Sequence, residues 1–276
     1  MLENLTAKQG FVFGLITGLG ASAIIACAIT IPFLLTQKNF SESATQTYTA
    51  NQATTQQAID TAPTAVPTNI IKSDKPKVEL FVMANCPYGL QMEKALIPAY
   101  DLLKNKADID IRFVSYAMHG KEEVEENTKQ YCAQEQDKDK YFSYLSCYAS
   151  TQNSASCLKQ AGLNEKSLTN CIDKTNKQFG IMDKYNDQST WLSGRYPIYP
   201  IHQDLNDKYG VQGSPTLVIN GAQVEAARTP NALKDAICAS FTNAPAECGQ
   251  TLALASPQPG FGTGLTQDTT AGGCGG

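Results

Sequence analysis

Residues 77–104 constrain the fold of this chain more than any other stretch of its sequence. They open with a short apolar run at 78–83, which has the length of a β-strand, and continue with apolar residues that recur at helical spacing. Cys86 and Pro87 lie between the two patterns. Proline suits the first turn of a helix, because its missing N–H would have no partner there in any case. The stretch therefore predicts a strand, a tight connection and a helix that begins directly after Cys86.

A cysteine at the start of a helix has a chemical consequence. The free backbone N–H groups and the positive end of the helix dipole lower the pKa of a thiol at that place and so increase its thiolate fraction near neutral pH. Cys86 is therefore a predicted nucleophile. The alternative is a buried and unreactive cysteine, because a free cysteine packs like a small apolar residue.

A second informative stretch lies around residue 215. Residues 217–219 form a predicted strand, and Asn220-Gly221 is a strong signal for a hairpin turn into a return strand. Ser214-Pro215 stands directly before the first of these strands. Proline is allowed at a strand start, so the sequence by itself is compatible with an ordinary trans proline there.

The strand, the motif Cys86-Pro87-Tyr88-Gly89 and the helix together resemble the active-site segment of the thioredoxin superfamily. The chain looks like the bacterial extracytoplasmic thiol oxidoreductases of the DsbA type and, more distantly, like the lysosomal thiol reductases. This resemblance implies an α/β, thioredoxin-like fold with an inserted α-helical subdomain. It departs from the family pattern at Gly89, which stands where a dithiol enzyme has its second cysteine.

The resemblance also implies a peptide-binding site. In the family the proline that matches Pro215 follows a cis peptide bond, and its loop faces the reactive cysteine. The backbone of the preceding residue, here Ser214, pairs with bound peptide as an added strand. Substrate contacts are accordingly expected from Pro87, Tyr88, Ser214 and Pro215.

The N-terminal part of the chain predicts attachment to a membrane. Residues 11–36 carry no charge and are long enough to cross a bilayer, so we interpret them as an uncleaved signal anchor that follows a cytoplasmic segment at 1–10. A minority alternative is that Cys27 belongs to a lipobox and is lipidated. Residues 37–75 are rich in Ser, Thr, Gln, Ala and Pro, and are a predicted flexible linker. The expected location is a single-pass protein of the cell membrane, with its catalytic domain outside.

The thioredoxin-like domain is predicted to span 76–248, with its helical insert at about 120–200. A second strand is expected at 109–114, parallel to the first because a helix connects the two. His119 follows that strand at the sheet edge that holds Cys86, so it is a candidate for stabilising the thiolate; an ordinary surface histidine is the alternative. The aromatic, proline-rich connection at the end of the insert either rims a peptide groove or covers the junction between insert and sheet.

The nine cysteines shape the redox prediction, because such a density suits an oxidising compartment. The insert holds four of them, one in each predicted short helix, and of the three possible pairings the nested one is the simplest for antiparallel hairpins. A redox-active pair inside the insert is the functional alternative to these structural bridges. The nested pairs are Cys132 with Cys171 and Cys147 with Cys157, while Cys238 and Cys248 lie close enough in sequence to clip the end of the domain.

With those six paired and Cys27 in the membrane, Cys86 and Cys274 remain. The main hypothesis is that the Cys86 thiolate attacks a substrate disulfide and forms a mixed disulfide. A second substrate thiol (isomerase behaviour), a small thiol or Cys274 would then resolve it. Residues 249–276 form a predicted disordered, Gly-rich tail, in which Cys274 is either the resolving residue or an incidental thiol.

The expected partners are protein thiols and disulfides outside the membrane, together with a redox partner. The rival hypothesis is a non-catalytic, thioredoxin-fold module that binds an extended peptide near Pro215. The net charge of −4 offers no electrostatic case for nucleic acid. No cofactor or metal is expected, because the sequence has no C-x-x-C pair and its two histidines, His119 and His202, are far apart.

Overall fold

The structure is a computed structural model that describes residues 70–267 and 272–275. The predicted signal anchor at 11–36 lies outside these residues. None of the helices in the described part is both long and apolar enough to cross a membrane. The strands of the described part are, in chain order, β1 (Lys77–Val82), β2 (Asp108–Phe113), β3 (Gly213–Ser214), β4 (Thr216–Ile219), β5 (Ala222–Gln223), β6 (Ser256–Pro257), β7 (Leu265–Thr266) and β8 (Cys274–Gly275).

The helices agree with the sequence pattern. The first begins directly after Cys86 and continues through Pro98, as its uninterrupted apolar face predicts. The four predicted insert helices each carry one cysteine, and one further short helix follows them. The helices are α1 (Pro87–Leu103), α2 (Lys121–Gln136), α3 (Lys138–Thr151), α4 (Ser154–Ala161), α5 (Glu165–Phe179), α6 (Ile181–Asn186), α7 (Gln203–Tyr209) and α8 (Pro230–Ala239), with short 3-10 turns at Gln188–Thr190 and Ala246–Gly249.

A four-stranded mixed sheet in the order β2-β1-β4-β5 forms the centre of the fold. β1 and β2 are parallel, as the helical connection between them predicts, whereas β4 runs antiparallel to β1 and β5 antiparallel to β4. The hairpin between β4 and β5 turns at Asn220 and Gly221, both of which have a positive φ. Two central residues with positive φ are what a tight hairpin turn requires, so the predicted turn is confirmed.

The two faces of the sheet bury different sets of residues. Along β1, Val78, Leu80 and Val82 face a large core that also contains residues of α1, α8 and the insert helices. Phe81 lies on the opposite face, in a smaller cluster with Cys86, Val114, Tyr116, Val218 and Cys274. This division follows from the alternation of side chains along a strand. The predicted reactive cysteine therefore packs in the smaller cluster and not in the main core.

Three disulfides lie outside the candidate site and link helices and turns of the domain. Cys132–Cys171 joins α2 to α5, and Cys147–Cys157 joins α3 to α4, which is the nested pairing. Cys238–Cys248 ties the end of α8 to the turn that follows it. All three link helices or turns that are neighbours in the fold.

The segment after residue 249 differs from the predicted disordered tail. Residues 250–253 form hydrogen bonds with α8. Residues 257–262 pack along α1 and α3, where the ammonium group of Lys94 donates to three backbone carbonyls, at Gln258 (2.9 Å), Gly260 (2.7 Å) and Gly262 (2.9 Å). The ring of Phe261 meets Tyr148 edge to face. The prediction failed because a segment without apolar periodicity is held here by backbone carbonyls around one cation, which leave no pattern of side chains in the sequence.

Candidate active site

Cys86 occupies the N-cap position of α1, and Pro87 is the first residue of the helix. The backbone N–H of Gly89 donates to the Cys86 sulfur at 3.4 Å. The N–H of Cys86 itself donates to the carbonyl of Met83 at 3.0 Å, which closes the turn from β1 into the helix. The helix start therefore places a hydrogen-bond donor and the positive end of a helix dipole at this sulfur, the environment that favours a thiolate.

Side chains of the helical insert fix the turn that carries Cys86. Asn127 accepts from the N–H of Ala84 at 2.9 Å, and Glu123 accepts from the N–H of Asn85 at 3.2 Å. The hydroxyl of Tyr148 donates to the side-chain oxygen of Asn85 at 2.8 Å. The insert thus supplies partners for backbone N–H groups that neither the strand nor the helix satisfies.

The loop before β4 faces this turn. The Ser214–Pro215 peptide bond is cis, and the carbonyl oxygen of Ser214 lies 3.5 Å from the Cys86 sulfur. The Ser214 hydroxyl accepts from the N–H of Met83 at 3.0 Å, which ties the proline loop to the end of β1. A Cβ added at Gly89 would lie 2.7 Å from this hydroxyl. The Ser214 side chain therefore takes the space that a second cysteine at position 89 would need.

Three features together identify the fold: the sheet order, the cysteine at the start of α1 and the cis-proline that faces this cysteine. This is a thioredoxin-like fold. The resemblance stated from the two sequence stretches is confirmed at the level of the fold, and the cis peptide bond before Pro215 is confirmed with it. The predicted helical insert is present between β2 and β3 of this thioredoxin-like domain.

Comparisons with known proteins give one family match and several similar solved structures. Residues 77–175 match the family model for gamma interferon inducible lysosomal thiol reductase. Among solved structures, the chain is similar to oxidised DsbA of Mycobacterium tuberculosis, with 15% identity and a TM-score of 0.45 over 66% of this chain and 93% of that one. Reduced DsbG of the same organism has 16% identity and a TM-score of 0.45, over 66% and 88% of the two chains. BdbD of Bacillus subtilis has 16% identity and a TM-score of 0.38, over 60% and 85%. A search of the curated proteins finds no match.

Cys86 is bonded to Cys274, the other cysteine that the sequence left over. The two residues are 188 positions apart in the chain, and their Cα atoms are 6.1 Å apart. β8, which contains Cys274, pairs antiparallel with β3, so that Cys274 lies opposite Ser214 and Gly275 opposite Gly213. The C-terminal residues therefore form the added strand beside the cis-proline, at the place where the family resemblance leads us to expect bound peptide.

Residues on both sides of the strand hold it against the domain. The ring of Tyr88 lies directly against the backbone of Gly272, and Arg228 donates to the Gly272 carbonyl. The guanidinium of Arg228 also lies over the Tyr88 ring, 5.4 Å from its centre. On the other side of Cys274, the hydroxyl of Tyr116 packs against Gly275.

Most of the four residues expected to contact substrate contact the chain's own C-terminal segment instead. The carbonyl of Pro87 accepts from the N–H of Gly260 at 2.7 Å, Tyr88 covers Gly272 and Ser214 pairs with Cys274. Three of the four thus contact the chain's own C-terminal segment, and Pro215 supplies the cis bond beside it.

His119 does not occupy the predicted position beside Cys86. Its ring nitrogen Nδ1 lies 2.5 Å from a carboxylate oxygen of Glu123, and this hydrogen bond is the main reason that the pKa of His119 is raised. Within residues 70–267 and 272–275, no hydrogen bond or ion pair joins His119 to Cys86. The link is indirect, because Glu123 also accepts from the N–H of Asn85, the neighbour of Cys86.

A solvent-facing cavity of about 420 Å³ opens next to Gly275. Its walls include Tyr116, Met118, Leu192 and Tyr196. Two of these residues, Leu192 and Tyr196, come from the aromatic connection at the end of the insert, so part of this connection lines the cavity. Tyr199, further along the connection, is fully buried and its N–H donates to the carbonyl of Ser115 at 2.8 Å, so this part covers the junction between insert and sheet. The cavity lies beside the C-terminal strand, and its wall contains both polar and apolar residues.

Several residues of this site escaped the sequence analysis, notably Tyr116, Glu123, Asn127, Arg228 and the glycines on both sides of Cys274. Asn127 and Glu123 lie on a helix with an ordinary polar composition, so nothing in the local sequence marks them. The glycines did carry a signal. A run of glycines around one cysteine indicates close approach of two backbones as well as it indicates flexibility.

Proposed function

We propose that this protein is a membrane-anchored, extracytoplasmic thiol-disulfide oxidoreductase in which Cys86 is the nucleophile and Cys274 is its redox partner. The observation that carries the proposal is the Cys86–Cys274 disulfide at the start of α1, opposite the cis-proline. Cys274 thereby fills the role that a second motif cysteine has in dithiol members of the superfamily. Residues 11–36 would hold the domain at the outer face of the membrane.

The position of Cys86 at the start of α1 determines which sulfur leaves and which sulfur attacks in each step of the exchange. When a thiolate attacks the bridge at Cys274, Cys86 leaves, and the N–H of Gly89 together with the helix dipole stabilises the thiolate that forms. In the reverse direction, the Cys274 thiolate attacks a substrate disulfide, forms a mixed disulfide with one substrate cysteine and releases the other as a thiol. The Cys86 thiolate then attacks the Cys274 sulfur, the substrate thiolate leaves, and the original bridge forms again.

A specific observation favours a second function, that of a closed structural module. The Cys86 side chain is fully buried, so the bridge to Cys274 would be a permanent crosslink if the C-terminal strand never detached. In that case the domain would hold partners without exchanging disulfides. The two functions differ in whether the bridge opens under mild reducing conditions.

The test is catalysis of disulfide exchange by the full-length protein. A reduced model peptide with two cysteines is mixed with a glutathione redox buffer, and its oxidation is followed with wild type, Cys86→Ala and Cys274→Ser. We expect wild type to accelerate the reaction, and Cys86→Ala and Cys274→Ser both to lose this activity, because each variant lacks one sulfur of the exchanging bridge. A wild-type protein that gives no acceleration, with its Cys86–Cys274 bridge intact at the end of the reaction, would favour the structural module.

A further inference from the structure

We propose that the groove beside Cys86 accepts only a Gly-x-Cys-Gly strand, and that the chain itself supplies this strand. Cys86 would then exchange disulfides with Cys274, and Cys274 would exchange them with thiols of other proteins. This inference rests on the proposed function and names the immediate substrate of Cys86.

The position two residues before Cys274 excludes side chains. Gly272 has a φ of +86°, which L residues rarely adopt, and a Cβ added there would overlap the ring of Tyr88. The ring cannot easily retreat, because the Arg228 guanidinium lies over it and is itself bonded to Gln91 at 3.0 Å. A residue other than glycine therefore meets both backbone strain and overpacking at this position.

The position directly after Cys274 is equally restrictive. Gly275 has a φ of +81°, and a Cβ added there would overlap the hydroxyl of Tyr116. That hydroxyl is fixed by a hydrogen bond of 2.6 Å to the carbonyl of Gln212. The position directly before the cysteine is more permissive, because a Cβ at Gly273 would lie 3.3 Å from the carbonyl of Ser214. These contacts define the pattern Gly-x-Cys-Gly.

The backbone of β3, which pairs with β8, is also very close to its partner strand. A Cβ added at Gly213 would lie 2.7 Å from the carbonyl of Cys274. The two backbones thus approach each other without room for a side chain at residue 213 or residue 275. A peptide whose cysteine is flanked by ordinary residues would have to displace Tyr88, Tyr116 or Gly213 in order to bind in the same way.

A groove this selective changes which sulfur meets an external protein. Cys86 is 0% exposed and Cys274 is 9% exposed. An external cysteine that has lost its proton to solvent attacks the Cys274 sulfur, and a new disulfide forms between these two atoms. The Cys86–Cys274 bond breaks in the same step, and Cys86 leaves as a thiolate. The bridge of the oxidised protein supplies the oxidising equivalents, so no other oxidant takes part.

The first test measures the bridge in the full-length chain. Wild type, Gly272→Ala and Gly275→Ala are equilibrated with glutathione buffers of graded ratio, and the Cys86–Cys274 disulfide is quantified by alkylation and mass spectrometry. We expect each substitution to shift the equilibrium toward the dithiol by about tenfold or more. Gly249→Ala is the matched control, because no atom lies within 4 Å of a Cβ added there.

A rescue experiment separates the shape of the groove from backbone strain. Tyr88→Ala removes the ring that a Cβ at residue 272 would meet, but it leaves the positive φ unchanged. We expect Gly272→Ala to have a much smaller effect in the Tyr88→Ala background than in wild type. Equal effects in both backgrounds would show that Tyr88 does not select glycine and would overturn the proposal.

The second test supplies the strand in trans. The full-length variant Gly272→Ala/Cys274→Ser, whose own strand fits poorly and lacks its thiol, is mixed with acetyl-Gly-Gly-Cys-Gly-Gly-amide, or with versions that have alanine in place of the glycine two before or one after the cysteine. Each peptide is supplied as its mixed disulfide with glutathione, so that the Cys86 thiolate attacks the peptide sulfur and glutathione leaves as the thiol. We expect the all-glycine peptide to form the mixed disulfide with Cys86 at least about tenfold more favourably. Equal reaction with all three peptides would overturn the selectivity and leave the proposed function standing.

The third test locates the external adduct. Oxidised wild type is mixed with a peptide that has one cysteine between bulky residues, the reaction is stopped with acid, and the mixed disulfide is mapped. An adduct on Cys274 supports the relay, and an adduct on Cys86 contradicts it. A protein whose bridge reacts with neither this peptide nor glutathione would contradict the proposed function itself.

Discussion

The helical insert and the edge of the sheet that holds Cys86 both contain disulfides, but in different surroundings. In the insert, Cys132–Cys171 and Cys147–Cys157 close loops of 39 and 10 residues between helices that already pack together. At the sheet edge, Cys86–Cys274 joins the start of α1 to a two-residue strand 188 positions away. Of these three bridges, only Cys86–Cys274 has a sulfur at the N-terminus of a long helix. That sulfur, on Cys86, also accepts a backbone hydrogen bond.

On the proposed function, this difference would separate permanent from exchangeable disulfides within one domain. A bridge between packed helices stabilises mainly by restricting the unfolded chain, and it re-forms readily because its thiols stay close together. A bridge at a helix start has one thiol that leaves easily as a thiolate. We therefore expect the two regions to respond in opposite ways to substitution: loss of activity at the sheet edge and loss of stability in the insert.

The largest expected effect is the loss of exchange activity in Cys86→Ala. Removing the nucleophile should lower the rate of disulfide exchange by about a thousandfold or more, measured as turnover of a model disulfide at neutral pH. The double variant Cys238→Ala/Cys248→Ala is the control, since it also deletes a bridge but lies outside the site. If the control loses as much activity per folded molecule as Cys86→Ala, the distinction between the two kinds of bridge is wrong.

The next effect is a fall in the free energy of unfolding at low pH, caused by the buried side chain of His202. His202 is buried, its Nδ1 accepts from the N–H of Phe113 at 3.0 Å, and burial is the main cause that lowers its pKa from 6.5 to about 3. Because the unfolded chain binds the proton more readily, stability is complete above pH 6.5 and falls as pH is lowered toward 3. The expected loss is about 1.4 kcal/mol per pH unit within this window, or on the order of 5 kcal/mol in total.

Urea unfolding of wild type and His202→Gln between pH 7 and pH 4 checks this sign. The variant should show a flatter dependence of unfolding free energy on pH than wild type. Parallel curves would mean that folding does not lower the pKa of His202, and they would contradict the neutral acceptor role of its Nδ1.

Deleting the bridges of the insert should cost stability and not activity. The chain-entropy estimate for the loop of 39 residues closed by Cys132–Cys171 is about 4 kcal/mol, and for the loop of 10 residues closed by Cys147–Cys157 it is about 3 kcal/mol. Paired serine variants are unfolded in urea with the Cys86–Cys274 bridge intact. Exchange rates of the folded variants should remain within about threefold of wild type, and a large fall in rate would assign a redox role to the insert.

The sequence predicted the fold well where local patterns determine it. The motif at Cys86, the turn at Asn220 and the one-cysteine helices of the insert all depend on short-range signals, and the structure contains each of them. The cis bond at Pro215 came from the family resemblance, because nothing local distinguishes it from a trans bond. The sequence also left Cys86 and Cys274 as the two unassigned cysteines, which the structure joins.

What the sequence did not predict depends on contacts between distant segments. Lys94 donates to backbone carbonyls, and Tyr88 contacts the backbone of Gly272. Because every residue has the same backbone atoms, these contacts leave no pattern in the sequence. Glycines around Cys274 suggested flexibility, although the same residues allow close packing. His119 was placed near Cys86 by strand order alone, and its actual partner, Glu123, belongs to the insert.

The smallest expected effects concern the indirect link from His119 through Glu123 to the turn that carries Cys86. Glu123→Ala removes the acceptor that holds the N–H of Asn85, so the turn with Cys86 loses one of its fixed points, and we expect exchange to slow by about tenfold. His119→Ala leaves that hydrogen bond in place and should slow exchange by less than about threefold. Rates of Cys86 alkylation in the two variants measure the difference. A larger effect for His119→Ala would restore the predicted role of this histidine as direct support for the thiolate.

The most direct test of the account is the order in which the four bridges open. Folded, full-length protein is titrated with dithiothreitol, and the free cysteines are labelled and mapped at each point. We predict that Cys86 and Cys274 become labelled first, while the insert bridges and Cys238–Cys248 remain closed until the domain unfolds. Simultaneous labelling of all four pairs, or opening of an insert bridge before Cys86–Cys274, would contradict the assignment of this pair as the redox-active one.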